Sequence, residues 1–124
     1  MDSLTAPIDG AEVQEVGGVR IDVAPAGNGR VKRAIYPAGF RWSTDMKPHV
    51  HSDRCMHAHI GFLARGAIAG TYPDGGDFSY AAPAFVVIEP GHDAWVVGDE
   101  DAVLIQFDAA ENTSEQFGLH EHVA

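Results

Sequence analysis

The stretch VVIEPGHDAWVVGDEDAVLIQF, residues 86–107, decides the fold class because it divides into three short apolar runs separated by two turns. Pro90-Gly91 ends the first run, and an acidic turn at 98–101 separates the second from the third. Runs of this length between turn residues are typical of β-strands rather than helices. In the third run, apolar residues recur every second position, which is the period of a strand with one buried face. We therefore predict that this strand directs one set of side chains into the core, namely Val103, Ile105 and Phe107.

The same pattern of short strands and turns extends upstream. Fourteen glycines and seven prolines are spread along the chain, and none of its segments keeps a helical period for a dozen residues without one of them. The segment PDGGD at 73–77 combines a proline with glycines that tolerate positive φ, so it predicts a hairpin turn. Strands are predicted at 19–23, 31–36, 55–64, 67–72, 78–81, 84–89, 94–97 and 102–108. Many short strands without a helix indicate an all-β sandwich or barrel.

Length and charge restrict the function classes. With 124 residues the chain has room for one core, and 18 acidic against 8 basic residues give a net charge of −10. Such an acidic chain repels phosphate backbones and anionic bilayers, so we expect neither a nucleic-acid partner nor a membrane partner. The N-terminus lacks the basic and apolar regions of a signal peptide. The single cysteine, Cys55, excludes an internal disulfide, and we expect a cytoplasmic protein.

Histidine spacing is the main chemical signal. Of the seven histidines, six form three His-x-His pairs, at 49/51, 57/59 and 120/122, and His92 follows the Pro-Gly turn. On a strand, residues two apart share a face, so His57 and His59 can approach one cation from the same side. His92, from a neighbouring strand, would complete a three-histidine cap with open positions for water or substrate. The pair at 120/122 lies in a polar tail that we do not expect to be positioned.

Each of these residues also has a simpler interpretation. The histidines could form a polar, hydrogen-bonded cluster without a metal, and Cys55 could be a small buried apolar residue rather than a ligand. Trp42 and Trp95 are interpreted as core or cavity wall. A Cys55–His57 nucleophile pair is disfavoured because neighbours on one strand seldom align as nucleophile and base.

The chain resembles the cupin superfamily, small jelly-roll barrels that often hold one metal. The stretch at 86–107 looks like the second cupin motif, in a subgroup with Pro-Gly-His-Asp-x-Trp. The segments YPAGFRWSTDMKP at 36–48 and CMHAHIGFLARG at 55–66 look like the first motif. Gly66 matches the glycine that ends the first motif, which places His59 where the family has a glutamate ligand. In the second motif, His92 comes two residues before the usual histidine position, which Ala94 takes.

The resemblance implies a single all-β, cupin-type jelly-roll barrel. We expect an N-terminal arm at 1–18, the barrel at 19–112 and a short tail at 113–124. One divalent transition metal (zinc, iron or nickel) is expected on His57, His59 and His92, with His51 and Cys55 as candidates for a fourth position and His49 as an alternative.

Two functions are compatible with such a site. The first is a metal-dependent enzyme, such as a dioxygenase, isomerase, cyclase or lyase, acting on a small organic substrate inside the barrel, with Glu89 and Asp93 as candidate catalytic carboxylates. The second is a non-catalytic cupin that binds a small ligand or a metal, for example as a sensor.

A homodimer is expected from the predicted strand at 55–64. Its face opposite the histidines is apolar and needs a cover, either the N-terminal arm or a second subunit. The residues of that face are Met56, Ala58, Ile60, Phe62 and Ala64.

Overall fold

The structure is a computed structural model, and it describes residues 2–109 and 113–122. In this part of the chain nine β-strands alternate with turns, and the all-β prediction is confirmed. The strands are β1 (Glu12–Val16), β2 (Val19–Ala26), β3 (Gly29–Tyr36), β4 (His59–Arg65), β5 (Ala67–Thr71), β6 (Asp77–Ala81), β7 (Ala84–Ile88), β8 (Asp93–Val97) and β9 (Ala102–Ala109).

Among the residues that the structure describes, helical structure is confined to short segments. A π-helical turn at Trp42–Met46 and a 3-10 turn at Lys47–His49 lie between β3 and β4, and a four-residue helix, α1 (Thr113–Gln116), follows β9. None of the helices in the described ranges has the length and apolar character needed to cross a membrane.

The strands form two antiparallel sheets that enclose the core. The larger sheet has the order β1-β2-β3-β9-β4-β7, and the smaller one has the order β6-β5-β8. Leu63, Val86, Ile88 and Leu104 of the larger sheet pack in one buried cluster with Ile68 and Val96 of the smaller sheet. This closed two-sheet arrangement is the predicted jelly-roll barrel.

The turn predicted at 73–77 joins β5 to β6. The amide of Tyr72 donates to the carbonyl of Gly76 at 2.8 Å, and Gly75 adopts a φ of 93°. At the end of β4, Gly66 has a φ of 81°, a conformation that side chains other than glycine rarely adopt. Both turns therefore have the residues that their backbone requires.

The strand predicted at 55–64 begins four residues later than expected. Cys55 makes only an isolated bridge to His92, and β4 starts at His59. Residues 56–58 consequently lie outside the sheet, so the argument that His57 and His59 share a strand face is wrong. The two-residue period identifies a shared face only within a strand, and sequence alternation does not mark where this one begins.

The inner face of β9 is also the opposite of the predicted one. Leu104 and Gln106 line the interior, whereas Phe107 is 51% exposed on the outer face. Val103 is fully buried, but it does not share a face with Leu104. The apolar alternation misidentified the interior because the inner face carries a polar residue, Gln106, that contacts a histidine.

The N-terminal segment covers part of the outer face of the larger sheet. Arg33 on β3 donates to a carboxylate oxygen of Asp22 on β2 at 2.7 and 3.0 Å, and both side chains are buried. The same guanidinium donates to the carbonyl of Ala6 at 2.7 Å. Residues 2–6 are thereby held over β2 and β3. The predicted arm also contains β1, which pairs with β2, and the predicted division at residues 18 and 112 stays a prediction.

The other half of that outer face has large apolar side chains in contact with solvent. Phe85 is 86% exposed, its ring centroid lies 5.9 Å from that of Phe62, and Val87 and Phe107 are also exposed. These four residues, Phe62, Phe85, Val87 and Phe107, are called the outer apolar patch below. They come from β4, β7 and β9, which are adjacent in the sheet.

Candidate metal centre and cavity

Three of the residues singled out in the sequence meet inside the barrel. One ligand atom each of Cys55, His59 and His92 lies within 4.8 Å of the others. The Sγ of Cys55 is 3.7 Å from the Nε2 of His59. These three residues are called the Cys-His-His group below.

Backbone pairing brings the members of the group together. The amide of Cys55 donates to the carbonyl of His92 at 2.8 Å, and the amide of Gly91 donates to the carbonyl of Cys55 at 2.7 Å. His59 is the first residue of β4, next to β9. Residues 37 positions apart therefore become neighbours through hydrogen bonds that no local sequence pattern specifies.

Both histidines are oriented by oxygen acceptors. The Nδ1–H of His92 donates to the backbone carbonyl of Glu89 at 2.6 Å, and the Nδ1–H of His59 donates to the side-chain oxygen of Gln106 at 2.5 Å. Because Nδ1 carries the proton in each ring, Nε2 has a free lone pair. This arrangement, with one nitrogen fixed by an acceptor and the other available, is typical of metal-binding histidines.

Burial keeps the group uncharged at neutral pH. Desolvation lowers the pKa of His59 to about 3 and that of His92 to about 4, and the two imidazoles therefore stay neutral. Desolvation also raises the pKa of the Cys55 thiol to about 11. Neutral imidazoles are the form that binds metals, whereas the thiol has to lose its proton to become a ligand.

The other predicted ligands lie outside the group. His57 is exposed and borders the cavity, His49 lies at the cavity lining, and His51 is exposed. The Cys-His-His group thus contains two of the three predicted histidine ligands and one of the two candidates for the fourth position.

The two candidate catalytic carboxylates have other partners. Asp93 accepts hydrogen bonds from the amide of Ser43 at 3.1 Å and its hydroxyl at 2.9 Å. The oxygens of Glu89 accept from the amide of His120 at 2.8 Å and from Nε2 of His122 at 3.0 Å. Neither side chain lies among the residues that line the cavity, and their catalytic role stays a prediction.

The Cys-His-His group lies in the wall of a cavity of about 490 Å³ between the sheets. Trp42 and Trp95 are part of its wall, in agreement with their interpretation as core or cavity residues. Tyr36 and Gln106 also line it, and sequence analysis missed both. Both lie in stretches that resemble the cupin motifs, at 36–48 and 86–107, but nothing in those stretches marked either one as a site residue.

The polar tail is positioned, contrary to the expectation from its sequence. The ring of His122 stacks on Tyr72 with centroids 3.9 Å apart, and its Nδ1 lies 2.6 Å from a carboxylate oxygen of Asp74. The amide of His122 donates to the carbonyl of Pro90 at 2.9 Å. A β-carbon on Gly91 would collide with the backbone of His122. The tail is therefore packed on the turn that leads into His92.

Comparisons with known proteins give a match in structure only. No family model matches the chain, and no curated protein matches it in sequence. A Cupin 2 conserved barrel domain protein from Salinispora arenicola is 16% identical, with a TM-score of 0.58 over 91% of this chain and 93% of that one.

Two further solved structures agree with this match. A cupin superfamily protein from Desulfitobacterium hafniense is 9% identical, with a TM-score of 0.51 over 79% of this chain and 83% of that one. CapF, solved with the inhibitor 3-isopropenyl-tropolone, is 16% identical, with a TM-score of 0.50 over 78% of this chain and 29% of that one. The two-sheet barrel and these neighbours show that the chain has the fold of the cupin superfamily.

Proposed function

We propose that this chain binds one divalent transition metal through Cys55, His59 and His92 and acts as an enzyme on a small organic substrate in the adjoining cavity. The observation that supports the proposal most strongly is the orientation of His59 and His92. The Nδ1–H of each ring donates a hydrogen bond to a carbonyl oxygen. Their Nε2 atoms are thereby left free beside the Cys55 sulfur.

The spacing of the Cys55 and His59 donor atoms fits a tetrahedral ion. With zinc bonds of about 2.3 Å to sulfur and about 2.0 Å to nitrogen, two ligand atoms stand about 3.5 Å apart. The Cys55–His59 separation is 3.7 Å. One thiolate and two imidazoles suit zinc, and iron and nickel stay as candidates. A bound ion with an open position polarises a carbonyl or lowers the pKa of a bound water.

Neighbouring side chains would position the group and the substrate. Gln106 fixes the tautomer of His59, and the carbonyl of Glu89 fixes that of His92. We assign Asp93 a positioning role, because it holds the segment that carries Trp42 through Ser43. The Tyr36 hydroxyl, whose pKa burial raises, stays protonated at neutral pH and is the cavity's candidate hydrogen-bond donor to a substrate oxygen.

A second candidate function is a non-catalytic module that binds a ligand or a metal. In its favour, no Asp or Glu side chain among residues 2–109 and 113–122 lines the cavity, so a carboxylate base is missing there. Small-ligand binding is supported by the neighbour CapF, which was solved with an inhibitor. Turnover of a bound compound would distinguish the enzyme from the binding module.

The metal site is tested by metal analysis of protein purified without a nickel column. We expect about one transition metal per chain in the wild type and a loss of metal in Cys55→Ser, His59→Ala and His92→Ala. Addition of Co²⁺ should give a thiolate-to-metal charge-transfer band that is absent in Cys55→Ser. His120→Ala is the matched control, because His120 is exposed and outside the group. Retention of the metal in all three variants would contradict the proposed metal site.

We also propose that the chain forms a homodimer through the outer apolar patch. The arm is held over β2 and β3 by Arg33, so it leaves the patch on β4, β7 and β9 open. A two-fold contact pairs a surface with itself, and an uncharged apolar patch is compatible with its own copy. A second copy is favoured over an unrelated acidic or basic partner because the four patch residues carry no charge.

The dimer is tested by light scattering of the wild type and of Phe85→Asp. We expect the wild type at twice the monomer mass and the variant at the monomer mass, because the new charge would be buried without a partner. Val97→Asp, at an exposed site on the smaller sheet, is the control and should stay dimeric. A monomeric wild type at micromolar concentration would contradict the proposal.

A cytoplasmic location is proposed from the single cysteine, Cys55, which leaves no disulfide to form within the chain. Cell fractionation with an antibody against the chain tests it, and recovery in an exported fraction would contradict it.

A further inference from the structure

The cavity wall is apolar over most of its surface. Aromatic and aliphatic side chains from both sheets and from the π-helical turn contribute to it, including Phe40, Trp42, Met46, Ile68, Trp95 and Leu104. Its volume of about 490 Å³ lies in the range of small-molecule sites, which runs from about 300 to 1,000 Å³. A ligand enclosed here exchanges water for hydrocarbon on most of its surface.

The lining offers little free charge. Lys32 is the one lysine or arginine in the lining of the described part of the chain, and its ammonium lies 2.9 Å from the carboxylate of Asp108. The guanidinium of Arg41 lies 4.3 Å from the centre of the Trp95 ring, and Arg41 is not among the lining residues. A divalent ion on the Cys55 thiolate would leave the site with a single net positive charge, so a doubly charged phosphate would lose its hydration with only half of its charge compensated.

Polar groups of the lining are concentrated near the Cys-His-His group. The side-chain oxygen of Gln106 contacts His59, and Tyr36 also lines the cavity. This provides hydrogen-bonding partners for one end of a ligand. A sugar, with hydroxyls on every side, would leave several of them unpaired against apolar walls.

We infer that the cavity takes a neutral, largely apolar ring compound with one oxygen-bearing end, a phenol or an aromatic ketone, and discriminates against phosphorylated or polyhydroxylated compounds. This inference rests on the proposed function, because it assigns the ligand class of the same site. The oxygen faces the Cys-His-His group, and the ring lies between the apolar walls that include Trp42 and Trp95.

A matched pair of probes tests the ligand class. Isothermal titration calorimetry compares 2-naphthol with 2-naphthyl phosphate, which has the same ring and an added phosphate, and with glucose. We expect 2-naphthol to bind at least about tenfold more tightly than the phosphate ester, and glucose to give no binding. Equal or tighter binding of the phosphate ester, or measurable binding of glucose, would overturn the inference.

Two further measurements keep this test separate from that of the metal site. The titrations are repeated after chelation, with metal content measured on the same samples. Metal without 2-naphthol binding would overturn the ligand class and leave the metal site intact. Binding of 2-naphthol to protein that never contained metal would support the ligand class and contradict the metal proposal.

A variant locates the bound probe. Ala94 lines the cavity, so Ala94→Leu should weaken 2-naphthol binding by filling the space that the ring needs. Val87→Leu adds atoms on the outer apolar patch and is the control, with unchanged binding expected. Unchanged binding in a folded Ala94→Leu, checked by circular dichroism, would overturn the assignment of the ring to this cavity. If that variant does not fold, the comparison of the two naphthyl probes on the wild type still decides the ligand class.

Discussion

Replacing Gln106 by methionine should weaken metal binding without removing any metal ligand. Gln106 is 4% exposed, and its side-chain oxygen accepts the Nδ1–H of His59 at 2.5 Å. Methionine has a similar volume but offers only a weak acceptor, so Nδ1–H is left without a partner and the tautomer with free Nε2 loses its advantage. Losing such a support typically costs 10- to 100-fold in metal affinity, or about 1.4 to 2.7 kcal/mol.

The cost to folding is of similar size. A buried donor left unpaired destabilises a protein by about 1–3 kcal/mol, and the free energy of unfolding of the metal-free variant should fall by that amount. Competition with a chromophoric zinc chelator measures the affinity, and urea denaturation measures stability. Gln14→Met, at an exposed site on β1, is the control. Unchanged zinc affinity in Gln106→Met would refute the argument that Gln106 prepares His59 as a ligand.

Three more predictions concern the scaffold. Hydrogen bonds to the carboxylate of Glu89 and, to a smaller extent, to that of Asp74 raise the pKa of His122. The rings of Tyr72 and His120 lie against the same imidazole. His122 therefore stabilises the fold fully below pH 6.5, and this contribution is lost as the pH rises through its raised pKa. The difference in Tm between wild type and His122→Ala should consequently be smaller at pH 8 than at pH 6, which differential scanning fluorimetry measures. Asp22→Asn leaves the buried Arg33 without its charge partner, so it should lower the free energy of unfolding in urea by about 3–5 kcal/mol. Asp53→Asn, in the exposed pair with Lys47, is the control and should change that free energy by less than about 1 kcal/mol. Gly91→Ala should release the tail, because the added β-carbon would collide with the His122 backbone. We expect faster proteolysis of the C-terminus in this variant than in the control Gly98→Ala, where the β-carbon has open space.

The strands could be predicted because their signals are local. Gly75 in the β5–β6 turn and Gly66 after β4 adopt positive φ, and the runs between such turns are too short for helices. The boundary of β4 could not be predicted, since residues 55–58 have the same alternation as the strand. In the structure, however, Cys55 pairs with Gly91 and His92, and residues 56–58 lie outside the sheet.

The candidate site was predicted only in part for the same reason. His59 and His92 come from elements that the motif resemblance places next to each other, whereas the contribution of Cys55 depends on a backbone bridge across 37 residues. Gln106 lies on β9, which is otherwise apolar from Ala102 to Phe107, and there composition favours the outer residues Ile105 and Phe107 as core. The position of His122 depends on stacking with Tyr72 and on carboxylates from two turns, which no sequence period encodes.

The walls of the cavity contain both tryptophans of the chain, Trp42 and Trp95. The tryptophan emission of the folded protein therefore originates entirely from residues that border the cavity. A compound that enters should change the intensity or wavelength of this emission without any label. The chain thus has a built-in optical reporter, with which a library of unlabelled compounds can be screened before any reaction is known.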